Sequence, residues 1–311
     1  MRVIFHVGYQ KTASNYLQRE IFPRIPQVTF SKGNKEFSEI LYENILKKDS
    51  LSYSNEIENI KTLFCDIKSN YKTILVSEEV MAGDILEPNI LTPKDVCDRL
   101  LHIKSISNKN DFKIIIIVRN QSSLIYSAYK EYLKLGGGGG VKEFLYKENN
   151  SKFFDYLYFD NLIKYYQNSF GCDNVIVQFY EHMTLERNVF FLEMLTFIFK
   201  DTFVGIDELV AKLNKKNTYI NKGISSKIFW IIRLINKISK SGRNPGGLIP
   251  HMDFIRSIIL KIGKAIAKNE SDTVIPFEII KFTARYEKSN ENLQALMSNK
   301  SRDLKELGYP V

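Results

Sequence analysis

Four short runs of apolar, β-favouring residues limit this chain to few architectures: VIFHV (3–7), TILVS (73–77), KIIIIV (113–118) and NVIVQFY (174–180). Their apolar character is continuous rather than alternating, which suits strands covered on both faces. Patterns of helical period fill the gaps, over Ser14–Phe22, Asn55–Ser69, Pro93–Ile106, Ser122–Leu135, Phe153–Phe170 and Asn188–Lys200. Thr92 before Pro93 reads as a cap followed by a first-turn proline. Such alternation implies an α/β fold, a mostly parallel sheet flanked by helices. After residue 200 there is no strand pattern, only helical ones over Ser225–Ser239, Met252–Lys268 and Pro276–Asn299. The expectation is one domain over 1–311, a core over 1–200 and a helical C-terminal part over 201–311.

In an open parallel sheet, ligands gather beyond the carboxyl ends of the strands. The residues there are chemically suggestive. After the first strand come Gly8, Lys11, Thr12, Ala13, Ser14 and Asn15; after the second, Glu78 and Glu79; after the third, RNQSSLIYSAY from Arg119 to Tyr129; after the fourth, Tyr180, Glu181 and His182. A glycine, a lysine and hydroxyls between a strand and a helix start form a phosphate cradle of P-loop type, because the helix start adds free N–H groups and a positive dipole end. The general nucleotide loop ends in G-K-[ST]. Here no glycine precedes Lys11, and the loop is shorter.

Two of these stretches resemble the motifs of the sulfotransferases that use 3′-phosphoadenosine 5′-phosphosulfate (PAPS), in particular their bacterial, carbohydrate-type branch. HVGYQKTASNYLQ looks like the 5′-phosphosulfate loop, H-[IV]-G-x-x-K-T-G-[ST]-[ST]-x-L-Q. RNQSSLIYSAY is similar to the 3′-phosphate motif, R-x-P-x-x-R-x-x-S-x-Y, with Arg119, Ser127 and Tyr129 in register. LVSEE, VQFYE, NKGIS near Asn221 and the ending LKELGYP extend the likeness over most of the chain. Ala13 stands where the family has glycine, a mild change if its φ stays negative. Gln121 and Ser122 occupy the proline region, and Leu124 replaces the second arginine.

The resemblance implies a sulfuryl transfer that, like phosphoryl transfer, needs alignment and stabilisation of the leaving group. Lys11 would approach the oxygen bridging phosphorus and sulfur. Gly8, Thr12, Ala13, Ser14 and Asn15 would hold the 5′-phosphate, and Arg119 and Ser127 the 3′-phosphate. Lys222 and Ser225 would close over the nucleotide, or Ser225 would simply cap a basic helix. An acceptor hydroxyl needs a base. Glu79 is the first choice and Glu78 the second, since adjacent strand residues point to opposite faces. His6 lies within a strand and reads as a core histidine, while His182 and His251 lack spacing partners. The scheme uses no metal, and its product is adenosine 3′,5′-bisphosphate. The acceptor class implied is a saccharide or glycolipid hydroxyl.

Charge and cysteine content set the remaining bounds. The formal net charge is +9, yet 13 Lys or Arg against a single acid, Asp253, fall between Lys212 and Lys268. That field favours anionic partners, and helices 225–268 combine it with apolar residues around Trp230, the pattern of a peripheral membrane contact. No nucleic-acid motif accompanies it. Cys65, Cys97 and Cys172 form neither a metal-ligand nor a paired pattern, and the chain enters a strand at once, which together point to a cytoplasmic protein. The rival readings are a P-loop kinase and a non-catalytic membrane- or polyanion-binding protein. Gly136–Gly140 reads as a linker or a lid, placed away from the site unless the preceding helix runs back over it. Oligomeric state does not follow from these residues.

Overall fold

The computed structural model describes residues 2–30, 50–62, 73–79, 81–83, 91–107, 111–146, 153–200, 204–214, 224–249, 253–268, 274–297 and 303–311. Strands β1 (Arg2–Gly8), β2 (Thr29–Phe30), β3 (Thr73–Glu78), β4 (Asp111–Val118) and β5 (Val175–Phe179) form a parallel sheet in the order β2-β3-β1-β4-β5. The α/β fold with a parallel, helix-flanked sheet is therefore as the sequence implies. The two-residue edge strand β2 is an addition, too short to show a period.

Continuous apolar strands follow from burial on both sides. Val3, Phe5 and Val7 of β1 and Ile114, Ile116 and Val118 of β4 enter one core, whereas Ile4, Ile115 and Ile117 enter a second on the opposite face. Helices α1 (Ser14–Tyr16), α2 (Pro93–Ile106), α3 (Gln121–Lys134), α4 (Phe159–Phe170) and α5 (Arg187–Phe199) cover these faces. Leu100 of α2, Leu124 of α3 and Ile163 of α4 pack into the first core, and Phe191 and Leu195 of α5 into the second. The cap expected at Thr92 is present: its hydroxyl accepts from the Asp95 N–H at 3.2 Å, and the Asp95 carboxylate accepts in return from the Thr92 N–H at 3.3 Å.

Two expected helices are broken by tertiary bonds. The pattern Phe153–Phe170 becomes a short turn before α4, because the carbonyls of Phe154 and Tyr156 accept from the hydroxyls of Tyr286 at 2.9 Å and Tyr9 at 2.8 Å. The pattern Pro276–Asn299 divides into Phe277–Thr283 and Glu287–Leu296 around a 3-10 turn that holds the buried Tyr286. Asn55–Ser69 is described only to residue 62, and its helix is preceded by another over Ser50–Asn55. Beyond residue 200 the described residues form helices, including α6 (Phe229–Ile238) and α7 (Asp253–Lys268), with only isolated bridges such as Ser239 to Ile249.

Strand order fixes where a ligand can sit. The chain leaves β1 for the edge strand β2, returns inward to β3 beside β1, then crosses to β4 and β5 on the other side. The connections leaving β1 and β4 diverge and open a crevice between those strands at their carboxyl ends. Gly8 pairs with Ile117 there, so the Lys11 loop and Arg119 flank one opening.

Candidate functional site

The loop after β1 is built around close approach. A Cβ on Gly8 would stand 2.6 Å from the Ser14 hydroxyl, so glycine lets the helix start press against the strand end. Ser14 is buried, and its hydroxyl has no hydrogen-bond partner among the described residues. Thr12 is buried too, and its hydroxyl donates to the Tyr9 carbonyl at 2.7 Å. Lys11 and Ala13 both take left-handed backbone, φ 67° and 64°. The condition under which alanine would be a mild replacement is not met. Ala13 carries a Cβ where glycine is favoured, at a cost of about 1 kcal/mol.

Lys11 is held at both ends of its residue. Its carbonyl accepts from Arg119 Nη1 at 2.7 Å, and its Nζ lies 3.2 Å from the Glu131 carboxylate on α3. Arg119 also donates through Nε to the Ser123 hydroxyl at 2.9 Å and stacks over the Tyr180 ring, 4.3 Å from its centre. Ser127 is half-buried one turn beyond Ser123, and Glu131 one turn further. Ser123, Ser127 and Glu131 thus line one face of α3, beneath Lys11. Burial works to raise the Glu131 pKa, but Lys11 and Lys134 outweigh it and hold the carboxyl below its ordinary value.

Of the two adjacent acids, Glu79 reaches the loop. Its carboxylate accepts from the Asn15 side-chain amide at 3.0 Å and faces the Lys11 N–H at 3.4 Å. Glu78 is the last residue of β3, paired beside Val7. Below them His6 is a core histidine, as expected, with Nδ1 2.7 Å from the Ser77 hydroxyl, to which Gln18 also donates. His182 is buried with its ring edge-on to Phe179.

The departures from the family pattern have places in the packing. Leu124, at the position of the second arginine, lies fully inside the first core. Gln121 bonds the Asn290 amide at 2.8 Å and Ser122 bonds the Thr283 hydroxyl at 2.7 Å, so the proline region ties α3 to the C-terminal helices. Asn120 donates its N–H to Glu181 at 2.9 Å and its side-chain amide to the Gly308 carbonyl. The other Glu181 oxygen accepts from the Tyr309 hydroxyl at 3.2 Å, and burial pushes this carboxyl upward in pKa. Glu181 therefore anchors the C-terminal segment behind Arg119.

Ser225 caps the 3-10 turn Ser226–Ile228, accepting from the Lys227 N–H at 3.2 Å. Lys222 and His251 lie outside the described residues. The Lys11–Glu131 pair shows that α3 passes beneath the Lys11 loop, and Gly136–Gly140 follows the far end of that helix. That run is packed rather than loose: Asn236 of α6 donates to the Leu133 and Gly137 carbonyls at 2.7 and 2.8 Å, and a Cβ on Gly137 would enter the Tyr132 ring. Close packing accounts for the glycines better than a lid or a loose linker. Ser123 and Glu131 carry no role in the motif, although the four-residue spacing from Arg119 through Ser127 to Glu131 is visible in the sequence.

No family model and no curated protein matches the sequence. Among solved structures, the crystal structure of a sulfotransferase from Alicyclobacillus acidocaldarius aligns over 99% of this chain and 99% of its own, with a TM-score of 0.54 at 12% identity. The chain has the fold of a sulfotransferase. Mouse sulfotransferase SULT7A1 complexed with PAP aligns over 100% of this chain and 90% of its own at 17% identity, with a TM-score of 0.38. Retinol dehydratase in complex with androsterone and inactive cofactor PAP aligns over 97% and 83% at 13% identity, with a TM-score of 0.32. Scores that low leave the fold resting on the first comparison.

Proposed function

We propose that the chain is a PAPS-dependent sulfotransferase acting on a hydroxyl of a saccharide or glycolipid in the cytoplasm. The observation that carries this reading is the bond from Arg119 to the Lys11 carbonyl, which joins the two motifs across the crevice between β1 and β4. The 5′-phosphate side of the nucleotide would lie on Gly8, Thr12, Ala13, Ser14 and Asn15. The buried, unpartnered Ser14 hydroxyl suits that task. Arg119 and Ser127, with Lys222 and Ser225 from the following segment, would hold the 3′-phosphate.

For in-line transfer the acceptor oxygen forms a bond to sulfur as the bond from sulfur to the bridging oxygen breaks. Lys11 would turn from Glu131 to that bridging oxygen and balance the charge left on it. Glu79, beside the loop, is placed to take the acceptor proton, with Glu78 the second candidate. Helices 225–268, as a lipid-facing surface, would suit a glycolipid acceptor. A P-loop kinase is less well supported, because the loop has no glycine before Lys11.

Calorimetry with adenosine 3′,5′-bisphosphate, without magnesium, tests the nucleotide assignment. Micromolar binding by the wild type, lost in Arg119→Ala and weakened in Lys11→Ala, is expected. No binding by a folded wild type would overturn it.

A further inference from the structure

We infer that α6, the turn after it and α7 form a docking surface for an anionic membrane leaflet. The two helices run antiparallel. A Cβ on Gly263 of α7 would strike Ile228, just before α6, while Arg256 of α7 approaches Gly136 beside Ser241, just after α6. Trp230 and Leu234 of α6 therefore run alongside Ile262 and Ile258 of α7. All four are exposed, Trp230 by 66%, and Phe254 and Leu248 at the turn end are exposed by 76% and 86%. The inward sides are taken: Ile228 and Ile232 enter the first core, and Asn236 is bonded to the glycine run.

An apolar stripe of this size calls for an occupant, and the charge around it selects one. The sequence from 224 to 268 holds nine Lys or Arg and one acid, Asp253. On the exposed sides, Lys237, Lys261 and Lys264 accompany the apolar residues. Apolar side chains bracketed by lysines match a leaflet that offers acyl chains below anionic headgroups. A second copy of this chain fits poorly, because a two-fold contact would set the same cations against one another. Among the described residues no helix is long and apolar enough to cross a membrane. The surface lies on the leaflet rather than through it.

The surface is tied to α3, the helix that carries Ser123 and Glu131 at the candidate site. Asn236 binds the Leu133 carbonyl, near Glu131 in chain order, and Lys11 pairs with Glu131. Docking would hold the crevice near the bilayer surface. The inference does not depend on the nucleotide assignment.

Trp230 is the only tryptophan of the chain, so its fluorescence reports the surface directly. The full-length protein would be mixed with phosphatidylcholine vesicles, with and without phosphatidylglycerol, and followed by Trp230 emission and co-sedimentation. A blue shift and co-sedimentation with the phosphatidylglycerol vesicles are expected. Lys261→Gln should weaken vesicle affinity roughly fivefold. Phe254→Ser with Ile258→Ser should abolish the shift while bisphosphate binding, measured by calorimetry, matches wild type. Absence of the shift with every vesicle, or equal binding to neutral ones, would overturn the inference. So would a concentration-dependent dimer that the double variant abolishes. A wild type that binds vesicles but not the bisphosphate would sink the nucleotide reading and leave the docking surface standing.

Discussion

Arg119 Nη1 donates to the carbonyl oxygen of Lys11 at 2.7 Å, across 108 residues of chain. A cation from the motif after β4 thus supports the backbone of the loop after β1, whose own residue at that point is left-handed. Under the proposed function the same guanidinium would also hold the 3′-phosphate, so two purposes would meet in one side chain.

Arg119→Lys should separate these purposes. Lysine keeps the charge but lacks the planar fork that reaches both Ser123 and the Lys11 carbonyl. Adenosine 3′,5′-bisphosphate affinity is expected to fall about tenfold or more, in line with the loss of a charge-assisted hydrogen bond and its geometry. Calorimetry giving wild-type affinity would show that charge alone matters at this position.

Glu131→Gln addresses the partner of Lys11. Removing the carboxylate frees the lysine and takes a negative charge away from the crevice, so the bisphosphate should bind roughly threefold tighter, the scale of a partly exposed ion pair. If the pair instead aims the lysine, affinity would drop in the same titration.

Ala13→Gly should stabilise the protein. The φ of 64° costs alanine about 1 kcal/mol that glycine does not incur, partly offset by the greater freedom of glycine in the unfolded chain. A gain of about 0.5 kcal/mol in urea unfolding is expected. Ala13→Val should lose stability, because a branched Cβ fits that region worse.

Lys113 supplies a pH dependence. Burial, with Arg2 and Lys200 nearby, lowers its pKa from 10.5 to about 8, while its ammonium donates to the Phe197 carbonyl. Between pH 8 and 10.5 the unfolded chain retains a proton that the native state has shed. Stability from this group therefore rises with pH through that window, and below pH 8 the penalty of burying the charge is fully present. Urea unfolding of wild type against Lys113→Met should show the wild type gaining relative stability from pH 8 to 10.5. A constant difference would refute the lowered pKa.

The strand end and loop after β1 and the cap before α2 could be read before any coordinates, because their parts are local. Gly8 through Asn15 carry strand end, loop and helix start within eight residues, and Thr92 with Pro93 marks a helix start. The fate of Ala13 was different. Whether its φ is positive depends on how tightly the helix returns to β1, which the Gly8–Ser14 contact decides. Glu131 was hidden for a related reason: it meets Lys11 only because α3 passes beneath the Lys11 loop.

Sequence alone determined the α/β class, the main strands and the helical character beyond residue 200, since periodicity and continuous apolar runs are properties of neighbouring residues. The tertiary structure decided the strand order, the edge strand β2, the breaks before α4 and at Tyr286, and the packing of the glycine run. Those features rest on contacts between residues far apart in the chain; before α4, for one, the hydroxyls of Tyr9 and Tyr286 bond the carbonyls of Tyr156 and Phe154 and override local preference.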